Sequence, residues 1–255
     1  MRHSSNKKGR HLCVISAFFT GALLSLAAHA DSGGNAYNLP PSADLQYAIK
    51  ARQSGIPFSG DASVKWRVSG SVGSQKYSVV TETRAPIFGK VLDASSTGVI
   101  DSYGLGPEKF VEKRFRKSET TTSFDRAAKQ ISFSESAEKY VIKGGEQDRT
   151  SAVWQLVALA RAAGDKFKPG SEWHFLTAGR RDADPWSFKV IAQETLPTAF
   201  GELATLHVVK APPPDSKDQQ LDLWLAPSLE WYPVRLKFED ADGDFVDQTI
   251  SNIKK

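Results

Sequence analysis

From Asp44 to the C-terminus, apolar and polar residues alternate in short runs separated by Gly, Asp, Asn and Ser, the period of half-buried strands. The runs predict strands over Leu45–Ala51, Ala62–Val68, Lys76–Thr83, Phe88–Ala94, Thr97–Ser102, Phe110–Lys117, Thr120–Asp125, Gln130–Ser134 and Lys139–Ile142. A second series covers Glu172–Thr177, Ser187–Thr195, Ala204–Lys210, Gln220–Leu225, Pro233–Glu239 and Phe245–Asn252. Connections such as Gly73-Ser74, Lys143-Gly144-Gly145 and Ala241-Asp242-Gly243 are too short for parallel crossovers, so most pairings are expected to be antiparallel. In Tyr232–Phe238, the apolar Tyr232, Val234, Leu236 and Phe238 alternate with Pro233, Arg235 and Lys237. One face of that strand should be apolar, and Arg235 on the other should meet an acid across a neighbouring strand. Pro197 to Gly201 reads as a rigid turn.

One segment has a different period. Val153, Leu156, Val157, Leu159 and Ala160, with Trp154 beside them, follow helical spacing between Thr150/Ser151, a capping pair, and Gly164, a stop. Gln147-Asp148 just before offers acceptors for the first free N–H groups. A lone helix is marginal in water and must bury its apolar face on the strands. The expected architecture is therefore mainly β: a strongly curved antiparallel sheet or incomplete β-barrel, with one amphipathic helix packed on its concave side.

Ahead of the strands, the first residues read as an address. Met1 to His11 carries Arg2, Lys7, Lys8 and Arg10 without an acid, Leu12 to Ala28 is apolar, and Ala28-His29-Ala30 precedes Asp31. This is the layout of a cleavable secretory signal over 1–30. The apolar run is short against the roughly 20 residues that span a bilayer, and polar Ser16, Thr20 and Ser25 interrupt it. Residues 31–43, rich in Gly, Ser, Asn and Pro, are expected to form a flexible N-terminal segment, and 44–255 a single β-rich domain.

Export changes the chemistry available. Of 33 basic and 29 acidic residues, the leader holds four basic ones and no acid, so the remainder is formally neutral and lacks the cationic excess of a nucleic-acid binder. The only cysteine, Cys13, also falls in the leader, leaving neither disulfide, thiolate ligand nor cysteine nucleophile. Asp31 rather than a cysteine as the first mature residue predicts a soluble periplasmic protein, not a lipoprotein.

Candidate catalytic chemistry is thin. His174 and His207 both lie in strand patterns, without metal-ligand spacing, and no metal or other cofactor is expected. No G-x-S-x-G elbow occurs. Asp240-Ala241-Asp242-Gly243-Asp244 places its glycine too early for an EF-hand and reads as an Asp/Gly hairpin. Gly104 and Gly106 lack the strand-to-helix setting of a phosphate loop. Glu194, Glu202, Asp222 and Glu230 could supply paired carboxylates only if folding brings two together. The six tryptophans, all beyond the leader, suit the core of a large curved sheet, and Trp154 with Leu156 and Val157 could line an apolar cavity between helix and sheet.

Several blocks resemble the DUF3108 family of exported bacterial proteins: Gly104-Leu105-Gly106-Pro107, Phe124-Asp125, Gly145 to Ser151, Leu196 to Gly201, Leu223 to Pro227 and Trp231 to Leu236. The resemblance spans the chain from about Leu45 onward. It implies an exported β-rich fold, loosely like periplasmic lipoprotein carriers, and assigns no catalytic residue. The expected function is non-enzymatic binding or carriage of an apolar or lipid-like ligand of the cell envelope. An envelope scaffold with a protein partner is the second expectation, and a carboxylate-dependent hydrolase the third.

Overall fold

A computed structural model describes residues 35–71, 73–212 and 219–255; the expected signal peptide over 1–30, with Cys13, lies outside them. Fifteen strands make one sheet. They are β1 (Ala43–Gln53), β2 (Ile56–Ser69), β3 (Lys76–Ala85), β4 (Gly89–Asp101), β5 (Gly104–Arg114), β6 (Thr120–Asp125), β7 (Gln130–Phe133), β8 (Ser136–Val141), β9 (Gln147–Asp148), β10 (Glu172–Ala178), β11 (Ala183–Thr198), β12 (Gly201–Lys210), β13 (Gln220–Leu225), β14 (Pro233–Glu239) and β15 (Phe245–Lys254). The spatial order, β8-β7-β6-β5-β4-β3-β2-β1-β15-β14-β13-β12-β11-β10-β9, is two meanders joined side by side through β1 and β15. The short β9 runs parallel to β10, and the remaining pairings are antiparallel, as the short connections require.

The sheet is strongly curved and open, not a closed barrel. Its two ends nevertheless approach. Thr122 on β6 donates from its hydroxyl to the Gly179 carbonyl beyond β10 at 2.7 Å, and the Gln147 amide donates to the Leu105 carbonyl at 2.8 Å. Phe110, Phe124, Ile131 and Phe133 pack with Ala178 and Ala183 across the same gap. Residues Gly33–Lys255 form one compact unit.

The helix α1 (Ser151–Ala163) is surrounded rather than laid down by one face, since every residue from Ser151 to Ala160 is buried. On one side Trp154 joins Trp66, Tyr232 and Leu105; on another Leu156, Val157 and Leu159 join Phe188, Val208 and Leu223. Small Ala152, Ala158 and Ala160 let the sheet come close, and buried Gln155 is satisfied by the Leu105 N–H at 2.8 Å and the Tyr103 carbonyl at 2.7 Å. Thr150 makes no side-chain cap; Asp148 Oδ1 accepts the Thr150 and Ser151 N–H groups at 2.8 Å instead. Gln147, expected to share that task, is spent on the Leu105 and Gly145 carbonyls.

β6, β13 and β14 have the bounds their periodicity predicts. Elsewhere the bounds differ from those expected. The runs around Phe88–Ala94 and Thr97–Ser102 are one strand, β4, with a register shift at Gly98, where a Cβ would lie 2.2 Å from the Gly106 carbonyl oxygen. Gly104 to Pro107 starts β5 because the backbone there must pass close to Gln155 and Arg126. Pro197 continues β11 opposite Glu202, shrinking the expected turn to Ala199-Phe200. From Tyr37 on, the stretch expected to be flexible is bonded in: Asn38 N–H to Ala158 O at 2.9 Å, Trp66 Nε1 to Pro40 O at 3.0 Å and Tyr232 OH to Pro41 O at 2.7 Å.

Candidate functional site

The three residues expected to line a cavity are packed core. The Trp154 indole lies 4.6 Å from Trp66, nearly parallel at 6°, and meets Tyr232 edge-on at 6.1 Å. Leu156 and Val157 are fully buried among the β10–β13 side chains. Both clefts described below are lined by other residues.

Folding does bring two of the four candidate carboxylates together, and it brings a histidine with them. His207 Nδ1 meets Glu194 Oε1 at 2.8 Å and its Nε2 meets Asp222 Oδ1 at 2.7 Å, across β11, β12 and β13. Glu194 also accepts the Trp224 indole N–H at 2.8 Å, the two rings stack at 4.2 Å, and the Arg235 guanidinium covers Trp224 at 4.6 Å. Arg235 in turn makes a two-pronged pair with Asp247 on β15 at 2.9 and 2.6 Å, the cross-strand acid its alternation predicts. The Leu196-Pro197 end of the β11–β12 hairpin overhangs this row, leaving a cavity of about 330 Å³ against Ala48, Arg235, Asp247 and Thr249.

Burial alone would lower the His207 pKa, but hydrogen bonds to Asp222 and Glu194 outweigh it and the pKa is raised. Burial likewise opposes ionisation of Glu194 and Asp222, yet their bonds to Trp224 and His207 hold both below the ordinary carboxylate range. The arrangement is an imidazolium clamped between two carboxylates, with no ring nitrogen left to take a substrate proton. It ties three strands together. Its stabilising effect is fully present below the unfolded histidine pKa of about 6.5 and is lost as pH rises through the raised folded value. His207→Gln should therefore cost about 2 kcal/mol at pH 6 and markedly less at pH 9 in urea unfolding. Equal costs at both pH values would contradict the clamp.

The second cleft has a different character. About 550 Å³ in volume, it lies at one end of the sheet between the β5–β6 turn, the β7–β8 turn, the β10–β11 turn and the approach to α1. Six basic side chains converge on it, Arg114, Arg116, Lys117, Arg149, Arg180 and Arg181, against two acids, Glu135 and Asp182. Glu112, buried beside it, pairs with Arg114 at 2.6 Å and Arg180 at 3.7 Å, and Glu135 pairs with Arg180 at 2.9 Å and Arg181 at 3.4 Å. Arg116, Lys117 and Arg149 meet no carboxylate among the described residues. Arg149 lies over the bare Cα of Gly179, where a Cβ would come within 2.8 Å of its guanidinium. The sequence did not reveal this cluster, because its members come from four separated turns.

The other candidates are ordinary. His174 and Glu202 are exposed, while Glu230 pairs with Arg161 at 2.6 Å and Lys255 at 3.3 Å. Asp240 Oδ1 accepts the Asp242 and Asp244 N–H groups at 3.1 and 3.0 Å around Gly243, the expected Asp/Gly hairpin. No group of three or more His, Cys, Asp or Glu side chains among the described residues could hold a metal ion, and no described helix is long and apolar enough to cross a membrane.

A family model described as a protein of unknown function, DUF3108, matches residues 46–250. The chain belongs to the DUF3108 family. No curated protein matches it. Among solved structures, this DUF3108 chain is similar to a candidate exported protein with a YmcC-like fold from Bacteroides fragilis, at 9% identity over 87% of this chain and 100% of that one, with a TM-score of 0.37. A candidate lipoprotein from Parabacteroides distasonis aligns at 13% identity over 87% and 99%, with a TM-score of 0.37. A candidate outer-membrane lipoprotein-sorting domain from Vibrio parahaemolyticus aligns at 7% identity over 84% and 85%, with a TM-score of 0.27. Within the DUF3108 fold, two of the blocks that carry the sequence resemblance form one junction. Gly104 to Pro107 and Gly145 to Ser151 are joined at Leu105, whose carbonyl takes Gln147 and whose N–H takes Gln155.

Proposed function

We propose that the protein is an exported, non-enzymatic binding or carrier protein for a lipid-like ligand with an anionic head, and that the arginine cleft receives that head. The observation that supports this reading is the convergence of six cations, against two acids, on one cleft in a protein whose part beyond the expected leader is formally neutral. Such a concentration is repulsive unless an anion relieves it, so it favours a phosphate- or carboxylate-bearing ligand. Arg149, Arg116 and Lys117 would bind it without first giving up a carboxylate, whereas Arg180 is already held by Glu112 and Glu135 and shapes the wall.

Calorimetric titration with short-chain phosphatidic acid, inorganic phosphate and a neutral alkyl maltoside separates the sources of binding. Phosphatidic acid is expected to bind, more weakly as salt rises, inorganic phosphate less tightly, and the maltoside not at all. Arg149→Ala with Lys117→Ala should weaken phosphatidic acid at least about tenfold, since each lost charge-assisted bond is worth about 1.5–3 kcal/mol. Equal affinity in the double variant, or no binding by the wild type, would sink the reading.

A further inference from the structure

Five of the nine large exposed apolar side chains among the described residues are gathered at one end of the sheet, while Val80, Val141, Ile191 and Phe200 stand apart from them. Three successive hairpin tips at one end of the sheet, those of β1–β2, β3–β4 and β5–β6, carry Ile56 (69% exposed), Phe58 (39%), Ile87 (88%), Phe88 (55%) and Phe115 (39%). The tips are neighbours. The Phe88 and Phe115 rings lie 5.6 Å apart, and Gly60 has no Cβ to hold off the Arg84 carbonyl, which would sit 2.2 Å from one. Tight turns fix them: Ser54 and Gly55 both take positive φ, at 50° and 78°, and Gly89 does so at 67°. A single exposed apolar side chain is commonplace, but a row of them marks a surface that binds something.

Charge along this rim identifies what. Arg84 and Lys90 flank the middle tip, paired with Glu82 and Asp93, and the third tip adds Arg114, Arg116 and Lys117 on its way to the arginine cleft. The Arg116 guanidinium lies 4.9 Å over Phe115. Past the first tip, the β14–β15 turn is acidic, with Asp240, Asp242 and Asp244. The rim is thus apolar along its length, basic at one end and acidic at the other.

We propose that this rim docks the protein onto an anionic lipid bilayer. Ile87, Phe88, Ile56 and Phe115 enter the headgroup region, and attraction of the basic end together with repulsion of the acidic end tilts the arginine cleft toward the lipid phosphates. A fluid interface suits convex tips, which offer a helix or strand no groove. The docking holds whether or not the cleft takes a ligand.

The test uses protein beginning at Asp31, which contains the compact unit Gly33–Lys255, and vesicles of phosphatidylglycerol with phosphatidylcholine or of phosphatidylcholine alone. The wild type should sediment with the anionic vesicles, weakly with the neutral ones, and less at high salt. Ile87→Ser with Phe88→Ser should weaken that binding at least about tenfold while leaving the melting temperature and the affinity for short-chain phosphatidic acid unchanged. Phe200→Ser, an exposed apolar position on another hairpin, should change nothing. A Phe88→Trp variant should show a blue-shifted, quencher-protected emission component on anionic vesicles that the wild type lacks. Vesicle binding that survives the double serine variant but disappears in Arg149→Ala would assign attachment to the cleft and overturn the rim. So would self-association abolished by the serine variant without any vesicle binding.

Discussion

Replacing Asp148 by alanine is expected to cost about 3 kcal/mol at pH 7, because the fully buried carboxylate is the acceptor on which three groups depend. Oδ1 takes the Thr150 and Ser151 N–H groups, and Oδ2 takes the Ser96 hydroxyl, itself 2.9 Å from the Tyr77 hydroxyl. Alanine would strand donors that water cannot reach. The carboxylate is nonetheless held there at a cost: burial raises its pKa to about 6, against a partial offset from those same bonds. Burial, and then the Asp148 charge, also push the Tyr77 pKa well above its ordinary value. An unfolded aspartate ionises near 3.9, so from about pH 4 to pH 6 the folded state binds the proton more tightly and stability falls as pH rises, by about 3 kcal/mol in all. Asp148→Asn removes this loss. Its carbonyl keeps both helix N–H groups, and its amide can donate to Ser96, which turns its own proton to Tyr77. The stability difference between the asparagine variant and the wild type should therefore grow in the variant's favour between pH 4 and 6 and stay flat above. Parallel curves across that window would show that Asp148 titrates at its ordinary value.

The same residue shows what a sequence can disclose. Asp148 stands just ahead of a helical period, so its capping role was legible from spacing alone; its burial was not, because that depends on Ser96 arriving from a strand 52 positions away. The alternation in Tyr232–Phe238 likewise predicted an acid for Arg235 across a neighbouring strand, and Asp247 supplies it diagonally, Thr249 being directly opposite, but nothing local announced that Trp224, His207 and Glu194 would extend the row. Period-2 patterns specify faces, not which strands become neighbours. The roles of three glycines were hidden for a related reason. Gly98 fell inside an expected strand, while Gly104 and Gly106 were weighed only as a phosphate loop, yet each serves close approach inside paired strands. The arginine cleft and the apolar rim were both out of reach, since each is assembled from hairpin tips that the meander alone brings to one end.

Trp154→Ala is expected to destabilise the protein by about 3–5 kcal/mol, the largest single effect foreseen for the core. The indole sits where the helix passes inside the curved sheet, stacked on Trp66 and edge-on to Tyr232, and both rings anchor the incoming segment through Pro40 and Pro41. Truncation removes the aromatic contacts of two elements at once and leaves an apolar void whose walls, strands on one side and a fully buried helix on the other, have little freedom to collapse. Such voids stay dry and accept small apolar molecules. Benzene should accordingly raise the melting temperature of Trp154→Ala and leave that of the wild type unchanged, because the indole already fills the space. The outcome also discriminates between sites for a ligand's apolar part. An acyl ligand that quenches wild-type tryptophan emission and loses affinity in Trp154→Phe enters between helix and sheet, whereas one indifferent to Trp154 but dependent on Arg149 is held at the cleft.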